Sequence, residues 1–152
     1  MSEEHTSLKK ITQKAMDLLA RREHASFELK QKLLKKGFDE EMVNKELALL
    51  QSKGLQDDNR YAELYIRMRI NKGFGAIKIR AELLEKKLNK QDIDLFLNNK
   101  NINWKNQASL VRLKKFGAQH PVAIKEKAKQ LRFLQSRGFT TEQIRSVINY
   151  ED

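Results

Sequence analysis

Apolar residues along this chain fall at helical spacing, and one stretch of the pattern returns about every fifty residues. Three segments carry it: Leu33-Leu34-Lys35-Lys36-Gly37-Phe38-Asp39, Leu83-Leu84-Glu85-Lys86-Lys87-Leu88-Asn89 and Leu134-Gln135-Ser136-Arg137-Gly138-Phe139-Thr140. In each, a helix closes at Gly37, Lys87 or Gly138, and an apolar residue follows (Phe38, Leu88, Phe139). Asp39, Asn89 or Thr140 then stands ready to cap the next helix. Four and eight residues past each cap come Val43 and Leu47, Ile93 and Leu97, or Ile144 and Ile148. The spacing predicts one helix-turn-helix whose second member buries the same i, i+4 stripe three times.

The remaining pattern extends each copy to three helices. A helix over 8–22 turns Ile11, Ala15, Leu18 and Leu19 inward, Ser26 caps a second that runs to Lys36, and Asp39 opens a third that reaches Lys53 before Gly54. In the second copy, Asp57 and Asp58 precede a helix with Tyr61, Leu64, Tyr65 and Met68 inward, ending at Gly73-Phe74-Gly75. A helix bearing Ile77, Leu83 and Leu84 runs to Lys87, and Asn89 opens a short one with Ile93, Phe96 and Leu97. After a joint over 98–103, the third copy begins near Trp104 and runs through Leu110, Leu113 and Phe116 to Gly117. It restarts with Pro121 in a first turn, continues through Ala128, Leu131 and Leu134, and ends in a helix boxed by Thr140 and Gln143.

The expected fold is all-α: three tandem three-helix repeats, about nine helices, in an elongated modular array. The expected boundaries are a flexible tail over 1–6 and repeats over 7–54, 55–100 and 101–150. Two irregularities stand out. The third repeat carries about eight extra residues around 118–123. Lys87 replaces glycine, and a left-handed lysine costs on the order of 1 kcal/mol, so the middle turn is expected to have its own geometry.

Composition narrows what such an array does. With 39% apolar and 7% aromatic residues against 34% charged, the cores are thin and the surface is large. Lysine and arginine number 31 against 20 acids, a net charge of +11, which favours polyanions or acidic protein surfaces as partners. The absence of cysteine removes disulfides, thiolate chemistry and zinc ribbons. The polar amino terminus and the short longest apolar run, 47–50, point to a soluble, cytoplasmic chain with no membrane partner.

Sharper chemistry finds no support. Gly73-Phe74-Gly75 follows no strand and precedes no Gly-Lys-Ser/Thr, so it reads as a helix-linking turn and not as a phosphate loop. His5, His24 and His120 lack metal-ligand spacing, and Asp57 with Asp58 suits a helix start better than a metal. Trp104, Tyr61 and Tyr65 sit among apolar neighbours, which favours packing over base stacking. No nucleophile, base and oxyanion site assembles, so the expectation is a protein that is not an enzyme, with no cofactor, no metal and no small-molecule substrate.

Basic residues are therefore the candidate contacts. They are Arg21, Arg22, Lys30, Lys32, Lys35 and Lys36 in the first repeat, and Arg67, Arg69, Lys72, Lys78 and Arg80 in the second. The third offers Lys125, Lys127, Lys129 and Arg132. The second group ranks highest because it surrounds a Gly-Phe-Gly turn taken to be flexible. Arg67, Arg69 and Arg80 lead because arginine holds carboxylate or phosphate with two prongs.

The chain resembles the RecX family, bacterial regulators of the RecA recombinase. The likeness lies in residues 18–26, Glu28-Leu29-Lys30-Gln31-Lys32-Leu33 and Gly37-Phe38, then in Leu55-Gln56-Asp57-Asp58-Asn59-Arg60-Tyr61-Ala62. It continues in Lys72-Gly73-Phe74-Gly75 with Ile79-Arg80 and Glu82-Leu83, in Lys115-Phe116-Gly117, and in Arg132-Phe133-Leu134 with Arg137-Gly138-Phe139. Ala76 and Lys87 depart from the family pattern, which usually shows proline and glycine there. The resemblance spans nearly all of 11–148 and implies a non-enzymatic modulator. Such a protein binds along the groove of the RecA filament on DNA and suppresses ATP hydrolysis and strand exchange. The alternative reading is a free-standing basic helical module that binds DNA or RNA without a recombinase.

Overall fold

The structure is a computed structural model that describes residues 3–149. Among these, the chain forms nine helices and no strand: α1 (Glu3–Arg21), α2 (Ser26–Lys35), α3 (Glu40–Ser52), α4 (Asp58–Asn71), α5 (Ala76–Glu85), α6 (Lys90–Leu97), α7 (Trp104–Phe116), α8 (Ile124–Ser136) and α9 (Thr141–Val147). The recurring stripe is buried in all three copies. Val43, Ile93, Ile144 and Ile148 are fully buried, and Leu47 and Leu97 nearly so.

Two compact units organise the helices: Met1–Leu64 with Lys86–Asn89, and Tyr65–Glu85 with Lys90–Asp152. In the first, Ile11, Ala15 and Leu18 of α1 close on Leu29 and Leu33 of α2 and Val43, Leu47 and Leu50 of α3. In the second, Ala108 of α7, Leu134 of α8, Phe139 and Ile144 and Ile148 form one core, with α5 and α6 packed on each other. The expected tail over 1–6 is helical from Glu3, where Glu3 and Glu4 favour the positive helix start; Met1 and Ser2 lie outside the described residues.

Caps follow the residue chemistry with one exchange. Asp39 Oδ2 accepts from Met42 N–H, Thr140 and Gln143 form a reciprocal box, and Asp57 Oδ1 accepts from Asn59 and Arg60 N–H. Ser26, however, does not cap α2. Ala25 takes the cap position, and Glu28 Oε1 accepts its N–H at 3.0 Å. The Ser26 N–H instead donates to Asp58 Oδ1 at 2.8 Å, so Asp58 serves the start of α2. Pro121 also falls outside its expected place, two residues before the α8 cap Ala123. Val122 and Ile124 are 86% and 85% exposed, so no burial favours an earlier helix there.

Lys87 is the main correction. It adopts φ 61°, the left-handed region of Gly37 (φ 94°) and Gly138 (φ 98°), so the middle turn matches the others. Burial of Leu88 beside it outweighs a strain of about 1 kcal/mol. The phase of α4 differs as well. Tyr61, Ala62 and Ile66 are buried while Leu64 and Met68 are exposed, and Ile77, Leu110 and Leu113 are likewise exposed. Tyr61 thus packs as expected, and Trp104 does too, its indole N–H donating to the Leu97 carbonyl at 2.9 Å.

Candidate interaction surface

The shifted phase of α4 decides what its arginines do. Arg69 lies on the inward face with Ile66, and its Nε and Nη2 donate to Glu82 Oε1 and Oε2 of α5 at 3.0 and 2.8 Å. Its guanidinium stacks 3.8 Å from the Phe74 ring centre. With side chains only 15% and 24% exposed, Arg69 and Glu82 satisfy each other. Arg67, two residues earlier, is exposed and has no ion pair among the described residues.

Arg80 is also engaged, its Nε donating to Asp94 Oδ1 of α6 at 2.7 Å. That bond raises the Arg80 pKa and lowers that of Asp94. Lys78 lies over the Phe74 ring at 5.0 Å with its charge unpaired, and Lys72 is exposed. The Gly-Phe-Gly turn that these residues surround is not loose. Gly75 N–H donates to the Arg137 carbonyl at 2.7 Å and Ile77 N–H to the Gly138 carbonyl at 3.0 Å.

In the first unit, Arg22 is committed to Glu28 by a two-pronged contact of 2.9 and 3.2 Å, and Lys86 approaches the same carboxylate at 3.6 Å. Burial alone would raise the Glu28 pKa, but Arg22, the Ala25 N–H and Lys86 hold it below its ordinary value. Lys32 Nζ meets His24 Nε2 at 2.9 Å, and His24 Nδ1 faces the Arg22 carbonyl at 3.0 Å. Burial first, then the charges of Arg22 and Lys32, lowers the His24 pKa, so the imidazole is neutral and accepts from Lys32. Arg21, Lys36 and, in the second unit, Arg132 are exposed without a partner among the described residues.

A cleft of about 470 Å³ brings Lys72, one of the expected contacts, together with three cations outside that expectation, Lys114, Lys115 and Arg137. The end of α4 and its turn contribute Ile70 and Lys72, α7 contributes Leu110, Val111, Lys114 and Lys115, and the end of α8 contributes Phe133 and Arg137. No carboxylate lines it. Arg137 is held in place: its guanidinium lies 4.9 Å from the Phe74 ring and 5.1 Å from Phe133, and Nη1 reaches the Lys72 carbonyl at 3.4 Å. The missed signal was the run Gln107, Leu110, Val111, Lys114, Lys115, one face of α7 that passes from apolar to basic. Leu110 and Leu113 are exposed, and α7 buries Ala108 and Arg112. Arg112 Nη2 donates to the Gly117 carbonyl at 3.2 Å, which ties the start of the extra loop.

Comparison with known proteins places these features in a family. Sequence profiles of the first, second and third three-helix domains of RecX match residues 12–48, 57–97 and 106–148. The chain is 39% identical over 142 residues to the regulatory protein RecX of Pseudomonas fluorescens strain SBW25, covering 93% of this chain and 92% of that one. It is 39% identical over 146 residues to RecX of Halorhodospira halophila, covering 96% and 91%. The crystal structure of RecX from Lactobacillus salivarius shares the fold with a TM-score of 0.81 at 18% identity, covering 95% and 96% of the two chains. No described helix is long and apolar enough to cross a membrane.

Proposed function

Because this chain belongs to the RecX family, we propose that it is a regulatory protein of the RecA recombinase, one that binds along the groove of the RecA–DNA filament and suppresses ATP hydrolysis and strand exchange. The observation that carries this reading is identity at the 39% level over nearly the full length of RecX proteins, together with a surplus of unpaired cations. The net charge of +11 is not absorbed internally: Arg67, Lys72 and Lys78 face no carboxylate among the described residues. Repeats linked in one chain turn several weak contacts into a cumulative one, since each raises the effective concentration of the next. Arg67, Lys72 and Lys78 carry the contact in the second repeat, whereas Arg69 and Arg80 are bound up with Glu82 and Asp94.

The test is the DNA-dependent ATPase of RecA filaments with purified protein added below stoichiometric amounts. ATPase falls with the natural chain, and the combined reversal Arg67→Glu, Lys72→Glu, Lys78→Glu weakens that effect about tenfold or more. An ATPase that stays constant across a wide concentration range overturns the reading. Tight binding to DNA alone at physiological salt, with a steep salt slope, would favour the free-standing nucleic-acid module instead.

A further inference from the structure

The cleft at Lys72 and Arg137 has two properties that net charge does not explain. Its rim is cationic and its floor is aliphatic. Lys72, Lys114, Lys115 and Arg137 surround Ile70, Leu110 and Val111, and Leu110 is 49% exposed. A phosphodiester backbone would use the rim and leave the floor in water, while stacked bases need a free aromatic face. The lining holds one aromatic ring, Phe133, and it is occupied: Lys115 Nζ stands 5.4 Å and Arg137 5.1 Å from its centre, with Phe116 edge-on at 5.4 Å.

We propose that this cleft docks an acidic segment of a partner protein: a short run of aspartate and glutamate around one leucine, isoleucine or phenylalanine, whose side chain fills the aliphatic floor. Charge complementarity selects the carboxylates, and the floor selects the anchor. Arg137 is the prearranged member. Its guanidinium is held near the Phe74 and Phe133 rings and reaches the Lys72 carbonyl before a carboxylate arrives, which lowers the ordering cost of the contact. The volume of about 470 Å³ accommodates one large side chain with flanking backbone. This assignment concerns the chemistry of the occupant and stands whether or not RecA supplies it.

Fluorescence anisotropy with the full-length chain tests it. The probe is a labelled synthetic peptide of aspartates and glutamates flanking a single leucine, compared with the same peptide carrying serine there and with an oligothymidylate of equal charge. The leucine peptide is expected to bind about tenfold more tightly than the serine peptide. Lys114→Glu with Lys115→Glu, or Leu110→Ser, should each weaken it about tenfold, with unchanged circular dichroism, since all three side chains are exposed. Equal affinity for the two peptides removes the anchor and overturns the proposal. So does an oligothymidylate that binds more tightly through Lys114 and Lys115, no binding of the leucine peptide, or binding that ignores these substitutions.

Discussion

Gly75 and Gly138 meet backbone to backbone: a Cβ on Gly75 would lie 2.6 Å from the Gly138 carbonyl, and one on Gly138 would lie 2.6 Å from Lys78 N and Cβ. Two turns far apart in sequence are thereby joined, with the Gly75 N–H donating to the Arg137 carbonyl at 2.7 Å. The contact holds Lys72, Lys78 and Arg137 on one block. Gly75→Ala should cost about 1–3 kcal/mol in urea unfolding, because neither backbone can retreat. Gly37→Ala, with open space around its Cβ but φ +94°, should cost only about 1 kcal/mol. Equal losses would show that the close approach is not what requires glycine at 75.

Arg67 and Arg69 should separate function from stability. Arg69→Met leaves the partly buried Glu82 carboxylate without its cation and is expected to cost about 2 kcal/mol. Arg67→Ala should change unfolding by less than about 0.5 kcal/mol, yet weaken the effect on RecA ATPase. The reverse pattern would place Arg67 in the fold and Arg69 at the partner.

Lys87→Gly removes a left-handed side chain at φ 61°. A gain of about 0.5–1 kcal/mol is expected, reduced by the added freedom of glycine in the unfolded chain. Loss of the Lys87 ammonium over the Phe27 ring, at 5.9 Å, should subtract little. Unfolding midpoints of the two proteins decide it, and a destabilised variant would mean that the lysine stem packs more than it strains.

Acid should weaken the first unit in two stages. His24 has a folded pKa below its ordinary 6.5, so beneath that pH the unfolded chain takes up the proton first and stability declines until the folded pKa is passed. Glu28 is held below its ordinary 4.5, so its contribution is complete above that pH and is lost as pH falls through its folded pKa. Unfolding midpoints measured between about pH 7.5 and 5.5 should fall in the natural chain and fall less in His24→Gln, whose amide oxygen still accepts from Lys32. Parallel curves for the two proteins would show that His24 does not set the first stage.

The difference between the legible and the hidden follows the range of each interaction. Residues Val43 and Leu47, with their two later counterparts, were readable as a buried stripe because i, i+4 neighbours share a helix face wherever the helix sits. Asp39, Asp57 and Thr140 were readable as caps because a short polar side chain reaches the N–H groups two or three residues on. Family membership was readable for a similar reason, since short motifs kept their order and spacing.

Helix phase, turn strain and the cleft were decided elsewhere. α4 carries apolar residues on more than one side, and a shift of one position turns its buried face by about 100°, which moved Arg69 inward while leaving Arg67 in water. Lys87 took the glycine conformation because burial of Leu88 outweighed a local cost of about 1 kcal/mol. The cleft needed the ends of three helices, bringing Lys72, Lys114 and Arg137 together across more than sixty residues. By itself, then, the sequence determined the repeat, the caps at Asp39, Asp57 and Thr140, and the family, all of which rest on neighbours within about one or two turns. Which cations pair with carboxylates and which stay in solvent was settled only by the tertiary packing, because pairing depends on distances between helices that no spacing along the chain encodes.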